Sequence, residues 1–490
     1  MKNGRITLKD APDIEVPTGL YIDGRFREAS DGGRFDVLNP ATEQPLCSVA
    51  DGTVEDAKAA LDAADRAFPS WAARSPRERG EILRKCFELF TERKEYFARL
   101  MTLENGKALV DSRAEATYAA EFFRWYSEEA PRNIGEMSRA PSTGARILVQ
   151  HKPAGIAVLV TPWNFPAAMG TRKIAPALAA GCPVVLKPAS ETPLTMLALA
   201  ELFEKAGVPP GVVNILPSRK SGAVVSAMLH DPRVRVISFT GSTEVGRKLL
   251  REAADNVVRP AMELGGNAPF IVCEDADIDA AVEGAMIAKM RNMGEACTAA
   301  NRFYVHETVH DSFVEKFAAK MKALKVGNGL EEGVSVGPLV NAETRDKVVH
   351  LVEDALNKGA KAVIGGSRLN RTGYYYPPTV LVDVPESAKC LSEEIFGPVA
   401  PIQKFRDEDE AIRKANATEF GLISYVYTKD LSRGLKISER LDAGMIGLNR
   451  GVASDPAAPF GGAKQSGIGR EGAHEGMLEF LETQYISVTW

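Results

Sequence analysis

The feature that most constrains the fold is an alternation of short β-branched runs with helical stretches after residue 145. The runs "GIAVLVTPWNFP", "PVVLKPAS", "VVNILP" and "VRVISFTGS" are separated by helical patterns such as residues 192–207. Strands that alternate with helices indicate βαβ units and a parallel sheet. A second alternation begins near "NAPFIVCEDAD" and continues to about residue 440. The chain is therefore expected to contain two α/β domains in series.

The first 120 residues are predicted to be mostly helical after a short strand region. Thr53 with Asp56 and Ser75 with Glu78 have the spacing of capping boxes, in which each side chain bonds the other residue's backbone N–H. The apolar residues of the stretch 75–101 keep helical spacing, so Cys86 within it is expected to be core.

Composition argues against several classes of function. The chain has 490 residues, 45% of them hydrophobic, and a formal net charge of −5. This length predicts two or three domains, and the charge gives no reason to expect nucleic acid binding. The apolar runs are shorter than the ~18 residues of a membrane span. The polar start "MKNGRITLKDAPDIEVP" has no apolar region typical of a secretory signal.

The cysteines and histidines suggest a reducing compartment and no metal. The six cysteines are scattered without a C-x-x-C pair, which favours reduced thiols and a cytoplasmic location. His306 and His310 have helical spacing but no neighbouring glutamate motif. No metal site is expected.

Two segments could bind a nucleotide. In "FTGSTEVGRKLL" a strand from Val236 to Phe239 runs into Gly241 and Gly246 and then a helix. Backbone N–H groups at such a helix start suit a pyrophosphate, although a plain βα turn has the same pattern. Lys187 in "LKPASETP" ends a predicted strand, where it could bond a ribose or phosphate or simply be solvated.

Three residues could supply the chemistry. Cys297 in "RNMGEACTAANR" could be a nucleophile, Asn164 in "TPWNFP" an oxyanion donor, and Glu263 in "MELGGNAPF" a base. A thiolate attacks a carbonyl, fixed amide N–H groups stabilise the oxyanion, and a carboxylate activates water. Each residue alone is more often structural, but their presence together with a nucleotide-type turn favours catalysis.

The chain resembles the aldehyde dehydrogenase superfamily from about residue 18 to 490. The matching stretches, in order, are "TPWNFP", "LKPAS", "FTGSTEVG", "MELGGNAPF", "GEACTAANR", "EEIFGPV" and "PFGGAKQSGIGREG". The resemblance implies that Cys297 is the nucleophile, Glu263 the general base, and Asn164 with the Cys297 amide the oxyanion hole. Cys297 would form a thiohemiacetal, hydride would pass to a nicotinamide, and Glu263 would activate water to hydrolyse the thioester.

The resemblance also implies a cofactor site. Glu394 is expected on the nicotinamide ribose and Phe396 against the cofactor. Ser190 stands where many NAD-using relatives have glutamate, so it removes a charge that would repel the 2′-phosphate of NADP; Arg219 and Lys220 could add positive charge. We therefore expect NADP to be preferred, with NAD as the alternative. The remaining expected cofactor residues are Thr161, Pro162, Trp163, Lys187, Ala189, Gly222, Phe239, Gly241, Ser242, Val245 and Leu264.

Two arginines indicate an anionic substrate. Arg172 and Arg291 match positions of the succinate-semialdehyde dehydrogenase subgroup, where a serine matching Ser454 also binds the substrate carboxylate. Succinate semialdehyde is the expected substrate, and glutarate semialdehyde, another ω-carboxy aldehyde or a general aldehyde are the alternatives. The arginines could instead be helix-surface or interface charges. Ala299 replaces the second cysteine of some members, so no disulfide switch at Cys297 is expected.

The resemblance implies an architecture of two parallel-sheet α/β domains and a small β arm. A Rossmann-like cofactor domain with a G-x-x-x-x-G turn would comprise residues 1–129 and 145–263, and a catalytic domain residues 264–450. Residues 130–144 would form an oligomerisation arm. Residues 451–490 would return to the cofactor domain and add an edge strand between subunits. A homodimer or homotetramer is expected.

Overall fold

The computed structural model describes residues 5–490. Its amino-terminal part has short strands followed by long helices. These elements are β1 (Arg5–Leu8), β2 (Ala11–Pro17), β3 (Leu20–Ile22), β4 (Arg25–Arg27), β5 (Arg34–Asn39), β6 (Gln44–Ala50), α1 (Val54–Ala72), α2 (Pro76–Glu92), α3 (Lys94–Asn105), α4 (Leu109–Glu129) and a 3-10 helix at Ala130–Arg132.

Both predicted capping boxes are confirmed. The Thr53 hydroxyl accepts from the Asp56 N–H at 3.2 Å, and the Asp56 carboxylate accepts from the Thr53 N–H at 3.0 Å. Ser75 and Glu78 make the same reciprocal pair. The helical stretch 75–101 is divided into α2 and α3, however, because Arg93 leaves the helical conformation at φ −100°, ψ 16°. The break lets Phe90 and Phe97 stack with ring centroids 4.4 Å apart.

The first large sheet is predominantly parallel and covered on both faces. Its strand order is β23-β13-β12-β9-β10-β11-β3-β4. Along its central strand β9, Ala157 and Leu159 join one apolar core while Ile156 and Val158 join another. Alternate residues therefore bury into opposite layers, as a doubly covered sheet requires. The elements of this region are β7 (Glu136–Arg139), β8 (Arg146–Pro153), β9 (Ile156–Val160), α5 (Ala168–Ala180), β10 (Val184–Lys187), α6 (Leu194–Ala206), β11 (Val213–Ile215), α7 (Ser221–Leu229), β12 (Val234–Thr240), α8 (Thr243–Asp255) and β13 (Arg259–Glu263).

The second large sheet has the order β16-β17-β18-β15-β14-β20-β21 and is parallel except at β16. Its elements are β14 (Ala268–Val272), α9 (Ile278–Met290), 3-10 helices at Arg291–Gly294 and Lys389–Leu391, β15 (Ala300–His306), α10 (His310–Lys322), α11 (Ala342–Asn357), β16 (Lys361–Ile364), β17 (Thr379–Val382), β18 (Val399–Phe405), α12 (Glu408–Asn416), β19 (Phe420–Gly421), β20 (Ile423–Tyr427), α13 (Leu431–Arg440) and β21 (Met445–Leu448).

The carboxyl-terminal segment returns to the first sheet and builds a third one. It contains β22 (Ala463–Lys464), β23 (Gly467–Ile468), α14 (Glu475–Leu478) and β24 (Leu481–Val488). Strand β24 pairs antiparallel with all of β8, from Leu481 opposite Pro153 to Val488 opposite Arg146, and β7 pairs on the other side. Within residues 5–490, no helix is long and apolar enough to cross a membrane.

The two large sheets meet end to end. Strand β13 ends at Glu263 and β14 starts at Ala268, so the chain crosses between the sheets in residues 264–267. The carboxyl ends of the first sheet's parallel strands thus face the amino ends of β14 and β15. The expected α/β class with two parallel sheets is confirmed, and ligands of such sheets bind at the carboxyl ends of the strands.

Loss of the α2 capping box should lower stability without touching this junction. Ser75→Ala removes the hydroxyl that accepts from the Glu78 N–H, and we expect a loss of about 1 kcal/mol in the free energy of unfolding. Thermal unfolding would measure the change, with Ser75→Asp as the control that keeps a capping acceptor. Equal melting temperatures for Ser75→Ala and the parent protein would contradict the prediction.

Candidate active site

A cavity of about 320 Å³ lies where the two sheets meet. It brings together Asn164 and Cys297, which are 133 positions apart in the sequence, and half of the predicted cofactor residues. The lining residues are Pro162, Trp163, Asn164, Met169, Thr240, Gly241, Ser242, Leu264, Gly265, Cys297, Glu343, Thr344, Lys347, Glu394 and Phe396. The rings of Trp163 and Phe396 meet edge to face across it, with centroids 5.3 Å apart.

Other predicted residues lie outside this lining. Thr161, Phe239 and Glu263 are buried at the strand ends behind it, and Val245 is exposed on the first turn of α8. Lys187 is the last residue of β10, Ala189 and Ser190 follow that strand, and Gly222 lies in the first turn of α7. Ser190 and Arg219 line a separate cavity of about 420 Å³.

Cys297 is partly accessible, whereas the other five cysteines are buried. Burial raises the pKa of the Cys297 thiol to about 12, although the positive charges of Arg172 and Arg291 lower it. The loop before it is held in an unusual form, with Asn292 and Met293 at φ 50° and 57°. The Tyr425 hydroxyl donates to the Thr298 carbonyl at 2.8 Å and fixes the residue that follows the thiol.

Asn164 is buried, and its side chain is only partly satisfied. Its Nδ2 donates to the Glu295 carbonyl at 3.1 Å, while its Oδ1 has no hydrogen-bond partner in residues 5–490. One amide hydrogen therefore remains for another acceptor. The arrangement joins Asn164 directly to the loop that carries Cys297.

The Glu263 carboxylate is buried at the end of β13. Within the described chain, neither of its oxygens has a hydrogen-bond partner. Burial and the nearby Glu471 carboxylate raise the pKa of Glu263 well above its ordinary value, against the opposing charges of Arg172 and Lys173. As the pH rises, a larger fraction of such a group is ionised and able to act as a base. A buried carboxyl without a hydrogen-bond partner is also a place where a water molecule can bind.

Arg172 has an acidic partner in the protein, which the sequence analysis missed. Its Nε lies 2.6 Å from Oε2 of Glu471, as an ion pair without hydrogen-bond geometry, and its guanidinium lies 4.1 Å from the Phe460 ring centroid. Glu471 also pairs with Lys173, which donates to Ser238 Oγ at 2.9 Å. No local pattern links residues 172 and 471, so the sequence carried no signal for this pair.

Arg291 has no carboxylate within ion-pair distance among the described residues. Its guanidinium lies 5.0 Å from the Phe165 ring centroid and 5.6 Å from that of Tyr118. Ser454 is half-buried in the loop after β21. Of the two arginines predicted to meet an anion, Arg291 is therefore the one that the protein leaves unpaired.

Comparison with known proteins decides the family. Residues 26–486 match the aldehyde dehydrogenase family. The chain belongs to this family. The resemblance inferred from the seven motifs is thereby confirmed, and the protein is an oxidoreductase.

Several relatives are similar over nearly their whole length. A succinate-semialdehyde dehydrogenase of Paenarthrobacter nicotinovorans is 54% identical over 90% of this chain and 98% of its own. A glutarate-semialdehyde dehydrogenase of Pseudomonas aeruginosa is 48% identical over 98% and 99%.

Solved structures have the same fold. An NADP-dependent enzyme of Escherichia coli has a TM-score of 0.96 at 47% identity, covering 97% of this chain and 98% of that one. A betaine aldehyde dehydrogenase of Staphylococcus aureus in complex with NAD⁺ has a TM-score of 0.93 at 35% identity, over 96% and 95%.

The residues at the junction fit the dinucleotide that this family uses. The Lys187 amine has no hydrogen-bond or ion-pair partner in the part of the chain described, and burial lowers its pKa to about 8. The buried Thr240 Oγ1 on the cavity wall is also unpaired. Glu394 accepts from the Gly266 N–H at 3.0 Å. Ser242 caps α8, whose Gly246 packs so closely that a Cβ there would lie 2.4 Å from Leu264.

Around Ser190, neighbouring carboxylates offset part of the positive charge that the sequence predicts. Lys220 is paired with Asp31 at 2.9 Å, so its charge is already balanced. The Ser190 hydroxyl donates to the Glu191 carboxylate at 3.2 Å.

Over residues 5–490, no cluster of His, Cys, Asp and Glu side chains could hold a metal ion.

Removal of Arg291 should slow chemical modification of Cys297. Because Arg291 lowers the pKa of the thiol, Arg291→Ala should raise that pKa and reduce the thiolate fraction at any fixed pH. We expect slower alkylation by iodoacetamide at pH 8, measured by mass spectrometry of the Cys297 peptide. The alkylation rate should increase with pH in both proteins.

A matched control is Arg371→Ala, which removes an arginine that also stacks on a tyrosine, with its guanidinium 4.0 Å from the Tyr375 ring centroid. Equal alkylation rates for Arg291→Ala and Arg371→Ala would contradict a through-space effect of Arg291 on the sulfur.

Proposed function

We propose that the protein oxidises succinate semialdehyde to succinate with NADP or NAD. The observation that carries this proposal is the unpaired guanidinium of Arg291, whose charge acts on the Cys297 thiol. A half-buried cation without a counter-ion is costly unless a ligand supplies one, and arginine binds a carboxylate in bidentate fashion. An aldehyde with a carboxylate at its far end meets both groups at once.

In the proposed first step, Cys297 gives its thiol proton to a water molecule, and its Sγ atom bonds to the aldehyde carbon as the π bond of the carbonyl breaks. The positive charges of Arg172 and Arg291 favour the thiolate. The aldehyde oxygen becomes an oxyanion, to which the Asn164 side chain and the Cys297 main chain donate. When bound, NADP or NAD supplies the hydride acceptor. Loss of hydride leaves a thioester on Cys297.

In the proposed second step, Glu263 takes a proton from a water molecule that attacks the thioester carbon. The carbon–sulfur bond breaks, succinate leaves, and Cys297 regains its thiol. Because burial raises the pKa of Glu263, its base form increases as the pH rises. Turnover is therefore expected to increase as the pH rises through the raised pKa of Glu263.

For the cofactor, the proposal assigns the phosphates to the start of α8, a ribose to Glu394, and the adenosine side to Lys187 and Ser190. NADP is preferred in this proposal because position 190 carries a neutral hydroxyl and the Lys187 cation is unpaired. The Glu191 carboxylate beside Ser190 works against that preference, so NAD is expected to be accepted as well.

A carboxylate at position 190 should weaken the binding of NADP. Ser190→Glu is expected to weaken NADP binding by about tenfold or more through repulsion of the 2′-phosphate, and to leave NAD binding close to that of the parent. Calorimetric titration of both cofactors, together with kcat/KM for each, would measure the change; Ser190→Ala is the control. A parent enzyme that uses NAD tenfold better than NADP would refute the proposed preference.

Glutarate semialdehyde is the second candidate. Arg172 is neutralised by Glu471, so one free cation, Arg291, selects the carboxylate without fixing the number of carbons before it. The similarity to a glutarate-semialdehyde dehydrogenase at 48% identity supports this alternative. Other ω-carboxy aldehydes and neutral aldehydes rank below it.

Substrate pairs that differ only in the terminal carboxylate test the assignment. Succinate semialdehyde with butanal, and glutarate semialdehyde with pentanal, would be compared by formation of reduced cofactor. Arg291→Ala should raise KM for the acids by about tenfold or more, the value of a charge-assisted hydrogen bond, and leave KM for the neutral aldehydes unchanged, while its effect on the Cys297 thiol lowers kcat for both kinds of substrate alike. Arg172→Ala is the matched control, because it removes an arginine that is already paired with Glu471. Neutral aldehydes turned over as well as the acids would overturn the substrate proposal.

The proposed assembly is a homodimer or homotetramer in the cytoplasm. The proposed arm is residues 130–144, whose strand β7 pairs with β8, and the β7–β8–β24 sheet exposes the apolar side chains of Met137, Tyr485 and Ile486. Such side chains on an open sheet favour contact with a second copy. The unpaired thiols support a reducing compartment. The proposed domain boundaries remain 1–129 with 145–263, 264–450, and 451–490 as the returning segment.

A further inference from the structure

We propose that Lys107 is a positioning residue that holds Asn164 in place for oxyanion binding by clamping the main-chain carbonyl of Asn164. The inference deepens the proposed function and rests on the role given there to the Asn164 side chain. Lys107 touches neither the cavity nor Cys297. It would act only through the backbone of the segment that carries Asn164.

The Lys107 ammonium is completely buried between two partners. Its Nζ donates to the Asn164 carbonyl at 2.5 Å and to Oε2 of Glu115 at 2.6 Å. It also lies 4.3 Å from the centroid of the Phe165 ring. Lys107 and Glu115 have no exposed side-chain surface. A buried lysine with these contacts has little freedom to move.

Glu115 connects Lys107 to the start of α5. Its Oε1 accepts from the N–H groups of Ala167 and Ala168, at 2.9 and 3.2 Å. The ion pair therefore fixes a carbonyl at residue 164 and two N–H groups at the start of α5. Asn105 adds a third attachment, because its Nδ2 donates to the Trp163 carbonyl at 3.1 Å.

The same carbonyl is also bonded from the side of the nucleophile. Asn292 Nδ2 donates to the carbonyls of Asn164 and Glu295, each at 2.9 Å. Asn164 Nδ2 donates to that Glu295 carbonyl as well, at 3.1 Å. The Asn164 carbonyl is thus the point where the α3–α4 loop, the Asn164 segment and the Cys297 loop are joined. A shift of this carbonyl would move the Asn164 amide relative to the sulfur.

Stability alone does not account for a charged pair at this place. Replacement of a buried ion pair by apolar side chains is often neutral or stabilising, because both charges lose their hydration when buried. Lys107 supplies a directed donor to one chosen carbonyl, which an apolar residue cannot do. A displacement of about 1 Å at a reacting group can cost about 10²-fold in rate, so fixing this position affects catalysis strongly.

A double-mutant cycle tests the proposal. Lys107→Met, Asn164→Ala and the double variant would be compared with the parent by single-turnover formation of reduced cofactor and by hydrolysis of 4-nitrophenyl acetate, which needs no cofactor. Asn164→Ala should lower the acylation rate by about 10²- to 10³-fold. Lys107→Met should lower kcat by about 10²-fold, with little change in KM, in cofactor affinity or in alkylation of Cys297 by iodoacetamide.

The decisive result is the effect of Lys107→Met when Asn164 is already alanine. If Lys107 acts through Asn164, the second substitution adds little, and the two losses do not multiply. Multiplied losses would overturn the positioning role and leave the proposed function intact. If Asn164→Ala alone leaves acylation unchanged, the oxyanion role of Asn164 fails, and the inference fails with it.

Two further variants guard against a simple loss of folding. Lys107→Met leaves Glu115 unpaired, so Lys107→Met with Glu115→Gln removes both charges together and should repeat the kinetic result. Lys289→Met removes another fully buried lysine, whose Nζ donates to Asn301 Oδ1 at 2.9 Å. This control should lower the melting temperature and leave ester hydrolysis unchanged. An equal loss of ester hydrolysis in Lys289→Met would count against the proposal.

Discussion

The site depends on how closely the backbone passes between the two sheets. A Cβ atom on Gly266 would lie 2.4 Å from the Cys297 carbonyl. A side chain there would therefore push residues 264–267, which cross between the sheets, away from the loop that carries Cys297. At the same residue, the backbone N–H bonds Glu394. The crossing therefore sets the distance between the sulfur, the cofactor wall and the end of β13, and a residue without a side chain is required at Gly266.

Buried charge is the second organising feature. Arg172, Lys173 and Glu471 form a buried cluster near Glu263, and the pKa of Glu263 reflects the balance between burial and these charges. The charge of Arg291 also acts on the Cys297 thiol. In a medium of low dielectric constant, such charges act on one another strongly. Two buried cations thus share one carboxylate near Glu263, whereas Arg291 has no carboxylate within ion-pair distance in residues 5–490.

Local patterns in the sequence predicted the elements, and ordered motifs predicted the family. The capping boxes and the α/β alternation follow from spacing alone. The sequence could not reveal the partner of Arg172, the pairing of Lys220 with Asp31, or the bond from Lys107 to the Asn164 carbonyl, because each joins distant positions through the tertiary fold. The periodicity of the apolar residues does not encode the break at Arg93 that divides residues 75–101 into two helices and brings Phe90 against Phe97.

The position of Glu471 has a consequence for biosynthesis. Arg172 and Lys173 emerge from the ribosome almost three hundred residues before the carboxylate that neutralises them. Strand β24, which covers all of β8, emerges later still. The first sheet cannot reach its final packing while two of its interior cations lack their counter-ion. Assembly of this charge cluster therefore waits for the last stretch of translation, and a chain released early would carry Cys297 without the Arg172–Glu471 ion pair beside it.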